Sequence, residues 1–302
     1  MSTEAARGAA GRGAFAAGLC YFIWGLVPLY WRQLAAINPV ELIAHRHVWS
    51  LLFLLGVIAL RADGGLAAVR AALGTWRSAG LNFLSAVLLT ANWLVYVWGV
   101  NTGHVLECSL GYFLVPLVNV ALGKLVLHEH LRPAQWAAIA CAAVGVLLQI
   151  IGLGHLPFIA LALAGTFGFY GLLKKKSALG PLTGLTVETA LLAPLALGFL
   201  LWQHHTGAGA LGRVDVRSHV LVLSAGVITS IPLLLFAYGA RRVRLATLGL
   251  LQYIAPTVQF ALAVAVYHEP FSPERATAFA FIWGGLALYT ADSLWAQRPR
   301  SA

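Results

Sequence analysis

Glu41, His45 and Arg46 stand close together in an otherwise apolar run. On a helix Glu41 and His45 are one turn apart and share a face, with Arg46 one position further round. An ionisable group in apolar surroundings is costly, so each is a candidate for function. Arg46 can offer a fixed positive charge to an anionic or polar solute. Alternatively, the three can form an internal ion pair that holds their helix to its neighbours. Glu188 is alone in another apolar run and, at an offset of 142, corresponds to Arg46. Its options are a charge partner, a carboxylate that binds and releases a proton, or a structural hydrogen bond to a nearby helix.

A second group is aromatic and amide. Asn92 and Tyr96 are four apart and share a helix face, with Trp93 and Trp98 beside them. Tyr112 and Pro116 are likewise four apart, and Gln252, Tyr253 and Pro256 form their counterpart. A proline inside a membrane helix frees a carbonyl that neighbours or cavity water must satisfy. These two proline helices are therefore read as cavity walls. Their lining suits an uncharged or zwitterionic organic molecule. Tryptophans at helix ends, such as Trp31, Trp202 and Trp295, read instead as an interfacial belt.

The elements that position these residues follow from composition. Of 302 residues, 60% are hydrophobic and 10% charged, with mean hydropathy +0.82. Such a chain cannot cover a soluble surface with polar groups, so the bilayer is its solvent. Spans of about 20 apolar residues are expected at 13–31, 40–60, 80–100, 107–127, 133–151, 156–173, 181–202, 219–240, 245–267 and 273–293. The longest connections are 61–78 and 203–218. The runs are apolar all round and lack the period-two alternation of barrel strands. The expected class is therefore an all-α integral membrane protein of ten transmembrane helices. The first span, after a short basic start, reads as an uncleaved helix.

The net charge of +10 reads as topogenic, since the cations punctuate apolar runs and build no solvated face for nucleic acid. With the N-terminus in the cytoplasm, that side collects Arg7, Arg12, Arg61, Arg70, Arg77, Arg132, Lys174, Lys175, Lys176, Arg241, Arg242, Arg244, Arg298 and Arg300. The opposite side holds Arg32, Arg213, Arg217 and Arg275. Both termini are thus expected inside, in a bacterial inner (plasma) membrane, with Lys174, Lys175 and Lys176 as an anchor at the head groups.

The halves 1–151 and 152–302 repeat one another at an offset of 140. Pro116 matches Pro256, His128 and Glu129 match His268 and Glu269, Pro133 matches Pro273, and Gly145 matches Gly285. Upstream, Asn92 falls on Pro232, Tyr96 on Phe236 and Gly99 on Gly239. Five helices per unit invert the second unit in the membrane. Inverted repeats characterise secondary transporters, with the substrate near the midplane.

Several motifs then converge: YFIWGLVPLY at 21–30, ELIAHR at 41–46 with VWS at 48–50, Asn92, Trp93, Tyr96 and Trp98, ECSLGYF at 107–113, PLVN at 116–119, TLG at 247–249, Gln252 and Tyr253 with Pro256, and TAFAFIW at 277–283. Over almost the whole chain this resembles the RarD proteins, a branch of the EamA group in the drug/metabolite transporter superfamily. The resemblance implies two EamA repeats and an inner-membrane permease. One departure is His47, where the family usually carries an apolar residue.

Other classes lack their signatures. There is no HExxH and no GxxxxGK[ST], so neither metalloprotease nor ATP-driven chemistry is expected, and no enzyme activity, cofactor or metal site is assigned. Cys20, Cys108 and Cys141 read as small packing residues. Glu107 reads as a charge at the start of its own helix. Expected partners are a small-molecule substrate and membrane lipids. Spans five and ten, nearly free of interior polar residues, read as peripheral scaffolds or homodimer surfaces. Ala14 with Gly18, and Ala164 with Gly168, permit close helix approach. A carrier is the preferred reading. A membrane channel, or a non-transporting membrane protein of the same fold, is the alternative, and counterflow separates carrier from pore.

Overall fold

Among the described residues of the computed structural model (3–61, 65–102, 104–153, 155–210, 212–266 and 273–295), all regular structure is helical. The helices are α1 (Thr3–Trp31), α2 (Pro39–Arg61), α3 (Gly65–Gly74), α4 (Trp76–Asn101), α5 (Val105–Leu125), α6 (Pro133–Leu153), α7 (Phe158–Lys176), α8 (Pro181–Thr206), α9 (Val216–Ala240), α10 (Leu245–Leu251), α11 (Ile254–Ala265) and α12 (Pro273–Trp295), with a 3-10 turn at Arg32–Leu34. In lipid every backbone polar group must be bonded within the protein, which selects helices once the runs are this apolar. Proline opens α2, α6, α8 and α12, where its missing N–H costs nothing.

Nine described stretches are long and apolar enough to cross a membrane, the ninth running across α10 and α11. α12 has 23 residues and packs with them but falls below that apolar standard. Three details differ from the sequence reading. α1 starts ten residues earlier than expected, at Thr3. The 61–78 connection contains a short helix, α3. The expected span 245–267 is broken into α10 and α11 at Gln252 and Tyr253. Pro256 cannot donate to Gln252, whose carbonyl instead takes the Ala255 N–H at 3.1 Å in a tight turn.

Residues 140 apart meet each other across the bundle. A Cβ added to Gly145 would lie 2.6 Å from the Ala278 carbonyl, and one added to Gly285 would lie 2.6 Å from the Ala138 carbonyl. Those two contacts exchange under the offset. On the same line, the Tyr253 hydroxyl donates to the Phe113 carbonyl at 3.2 Å and Cys141 Sγ donates to the Phe281 carbonyl at 3.2 Å. Reciprocal and self-paired contacts thus recur at the same offset as the sequence matches. α6 and α12 pack on each other, joined also by an ion pair between Arg132 and Asp292.

The two long connections lie at opposite ends. The end of α2 and α3 pack against the start of α8, through Ile58 of α2 and Val69 and Ala72 of α3 with Leu182 and Val187 of α8 and Leu179 just before it. At that end Glu129 accepts the N–H groups of Leu245 at 2.7 Å and Ala246 at 3.2 Å. Arg244 donates to the His130 carbonyl at 2.9 Å, and Lys175 donates to the Val243 carbonyl. At the far end Glu41 accepts the Ala210 N–H at 2.7 Å, Arg217 donates to Gln33 at 2.5 Å, and Tyr30 donates to the Leu221 carbonyl. We call these the lysine end and the Arg32 end. His268, Glu269, Arg298 and Arg300 lie outside the described residues.

Candidate functional site

A cavity of about 980 Å³ enters the bundle from the Arg32 end. Its mouth is formed by Trp31, Arg32, Ala35 and Pro39, and its depth by Tyr21, Phe167 and Arg46. α1 and α2 supply most of one wall. α4 and α5 supply Asn92, Trp93, Tyr96 and Tyr112, and α11 with its broken start supplies Gln252, Pro256 and Gln259. Residues from both halves of the chain therefore contribute. Among the described lining residues the charged side chains are Arg32 and Arg46, and none is a carboxylate.

Arg46 is 3% exposed. It sits seven residues into α2, about 10 Å below the helix start at 1.5 Å per residue. Its guanidinium carbon lies 5.0 Å from the centroid of the Trp93 ring, a cation–π contact. Its Nε and Nη1 are buried with no hydrogen-bond partner among the described residues. Trp93 is held in turn by Trp31, at 5.8 Å between centroids and nearly edge-on. Tyr96 and Tyr112 form a second aromatic pair at 5.4 Å. Asn92 is fixed by its own amide, which donates at 2.9 Å both to the Leu163 carbonyl and to Thr166 on α7.

The cavity floor is an aromatic plug. Trp24, Phe167, Tyr170 and Phe236 pack with centroid separations between 5.4 and 5.8 Å. Below Tyr170, Lys174 lies 5.5 Å from the ring and pairs with Glu188 at 2.5 Å, both side chains buried. From Phe167 to Lys174 is seven residues of α7, or about 10 Å of closed protein. Beyond it Glu129 binds the start of α10. The passage is thus open from one end and shut at the other.

Several residues singled out by sequence lie elsewhere. Glu41 and His45 do share a face, at 3.7 Å, but they sit behind the cavity wall, where Glu41 binds the Ala210 N–H. Pro116 faces α10, its carbonyl 2.8 Å from a Cβ added to Gly249. Tyr253 points away from the cavity to the Phe113 carbonyl. Glu188 is below the plug with Lys174, so Lys174 is a buried ion-pair partner and not a head-group anchor. Glu107 caps a different helix from the one expected, accepting the Ile159 N–H of α7 at 3.1 Å. Trp31 lines the mouth, whereas Trp202 and Trp295 are largely exposed. His47 is buried against Thr90 at 3.1 Å.

Tyr21, Trp24, Phe167 and Gln259 line the cavity without having been singled out as site residues. Their signal was weak, since an aromatic residue in an apolar run looks like core. Only Gln259, an amide three residues past Pro256, offered a polar clue.

Comparison with known proteins points in one direction. Residues 11–151 match the model of the EamA-like transporter family. The chain is 46% identical to a protein named RarD from Streptomyces exfoliatus, covering 93% of this chain and 89% of that one. It is 45% identical to an uncharacterized transporter of Pseudomonas aeruginosa, over 90% and 91% of the two chains. A solved crystal structure that is 23% identical superposes with a TM-score of 0.71 over 97% of this chain and all of the other, a likeness of fold.

Proposed function

This chain belongs to the EamA-like transporter family, in its RarD branch, and we propose that it carries a small organic molecule across the bacterial inner membrane by alternating access. The observation that supports this most is the cavity. It is deep, built by both halves of the chain, and ends at the Trp24–Phe167–Phe236 plug halfway through the bundle. A continuous pore would leave no such floor. A cavity of this size accepts a molecule of metabolite or drug dimensions.

The reading also gives each layer a task. Trp93, Tyr96, Tyr112 and Phe167 desolvate an apolar body, while Asn92, Gln252, Gln259 and Arg46 orient polar groups. The inverted repeat provides the second state, in which the lysine end opens and the Arg32 end closes. With the lysine end in the cytoplasm, as the Lys and Arg distribution favours, the cavity described here faces outward. Solute exchange is then coupled to interconversion of two closed-on-one-side forms, with energy drawn from a solute or ion gradient.

Counterflow in liposomes tests this. Vesicles loaded with unlabelled solute should transiently accumulate the labelled solute above equilibrium. Equilibration without overshoot, for a solute that demonstrably enters, would indicate a pore.

A further inference from the structure

We propose that the cavity selects organic anions, specifically compounds with one carboxylate on a planar apolar body, and that Arg46 is the residue that binds the carboxylate. The inference deepens the carrier reading and rests on it.

The argument begins with charge at the bundle centre. Below the plug, Lys174 and Glu188 neutralise each other at 2.5 Å. At the Arg32 end, Glu41 is occupied by the Ala210 N–H and by His45. Arg46 is left as a buried cation within electrostatic reach of Glu188 and Tyr170 but hydrogen-bonded to neither. A buried charge whose N–H groups are unmet is among the most costly arrangements in a membrane protein. The arrangement makes sense when a visiting group completes it.

The visitor's chemistry follows from the lining. A guanidinium presents a planar fork of donors that fits a carboxylate in two parallel hydrogen bonds. Arg46 lines the cavity with its guanidinium carbon 5.0 Å from the centroid of the Trp93 ring, while its Nε and Nη1 are buried without a hydrogen-bond partner among the described residues. No described lining residue is acidic, so an ammonium group on the same solute would be desolvated without an ionic partner. The remaining walls, Trp24, Trp31, Tyr96, Tyr112 and Phe167, offer rings for a flat apolar body. A monocarboxylate with an aromatic or similarly flat body satisfies every one of these features.

The test uses three matched probes: 3-phenylpropionate, 3-phenylpropionamide and phenylalanine. Their binding is measured calorimetrically on the full-length protein in nanodiscs of phosphatidylcholine alone, so that anionic head groups do not compete. For the native protein the carboxylate should bind about tenfold or more tighter than the amide, as for loss of charge-assisted hydrogen bonds. Phenylalanine should bind no tighter than 3-phenylpropionate. Arg46→Gln should bring carboxylate and amide to within about threefold of each other, and Arg46→Lys should retain part of the preference as a point charge without the fork. The native comparison stands even if a variant fails to fold.

Equal binding of carboxylate and amide, tighter binding of phenylalanine, or no binding of 3-phenylpropionate at millimolar concentration would each overturn the anion assignment. If counterflow of some other solute persists in those cases, the carrier reading survives without it. If no solute in a broad panel shows counterflow, the carrier reading fails and this inference with it.

Discussion

The ion pair beneath the plug gives a sharp quantitative expectation. Lys174 and Glu188 are 2.5 Å apart, with side chains 5% and 3% exposed. Exposed pairs contribute about 0–1 kcal/mol, but removing one partner of a buried pair costs about 3–5 kcal/mol, because the other charge is stranded. The two removals are not equivalent here. Glu188→Gln leaves Lys174 and Arg46 as two cations with no anion between them. Lys174→Met leaves Glu188 within electrostatic reach of Arg46, so part of the compensation survives. Glu188→Gln should therefore be the more destabilising, by about 1 kcal/mol or more, roughly the cost of one weakened pairing. The double variant, which no longer sets two cations side by side but leaves Arg46 without its anion, should be less destabilised than Glu188→Gln alone. Equilibrium unfolding in mixed micelles with rising dodecyl sulfate measures all four proteins in one cycle. Single variants that each cost less than about 1 kcal/mol, the range of a hydrated surface pair, would refute the reasoning that this layer is dry. The same Glu188→Gln protein answers a second question. Full transport that keeps its pH dependence would remove Glu188 from any proton-coupling role.

Other expectations follow from separate contacts. Gly226→Ala would set a Cβ 2.5 Å from the Trp49 carbonyl oxygen and 2.6 Å from the Ser50 nitrogen. Neither is a flexible side chain, so α2 and α9 must separate, at about 1–3 kcal/mol by the same unfolding assay; an unchanged stability would contradict this packing. Ser50→Ala, which removes the 3.2 Å bond to the Gly226 carbonyl, should cost only about 0.6 kcal/mol, the average for such bonds in membranes. Glu129→Gln keeps the shape but weakens the hold on the α10 N–H groups and on Lys175, at 3.8 Å. A cysteine reporter at Ser177 should then react faster with thiol reagents in inside-out vesicles than in the parent reporter protein, and an equal rate would count against a latch at that end. In intact spheroplasts a membrane-impermeant reagent should label Ala35→Cys and spare Ala178→Cys. The reverse pattern would invert the orientation.

The sequence made the broad architecture legible because a bilayer demands long apolar runs and proline or charge at their ends. Pro39, Pro133, Pro181 and Pro273 mark helix starts that the structure keeps. The offset of 140 was legible too, and it reappears as paired contacts between Phe113 and Tyr253 and between Cys141 and Phe281. The cavity was legible where a polar or aromatic group broke an apolar run, as with Arg46, Asn92, Trp93, Tyr96, Tyr112, Gln252 and Pro256. Helix rotation set the limit. Lys174 and Lys176 are two residues apart, yet one is buried and the other exposed, and nothing in a run of three lysines tells which faces inward. Tyr253 and Gln252 are adjacent, but the tight turn at Pro256 sends one to α5 and the other to the cavity. Partners far along the chain were equally hidden. Glu41 meets Ala210 and Glu107 meets Ile159 through backbone N–H groups, which have no sequence signature of their own.

Arg46 and Glu188 each sit seven residues from the proline that begins their helix, one helix starting at the Arg32 end and the other at the lysine end. Equivalent depths on the two sides thus bear opposite signs. On the Arg32 side that depth carries a cation bordering the cavity, whereas on the lysine side it carries a carboxylate already joined to Lys174, so a negatively charged passenger would find a lone positive group at one doorway and a closed pair at the other. The two matched doorways are thus electrically unlike, one presenting a single charge and the other a charge already answered from within the protein.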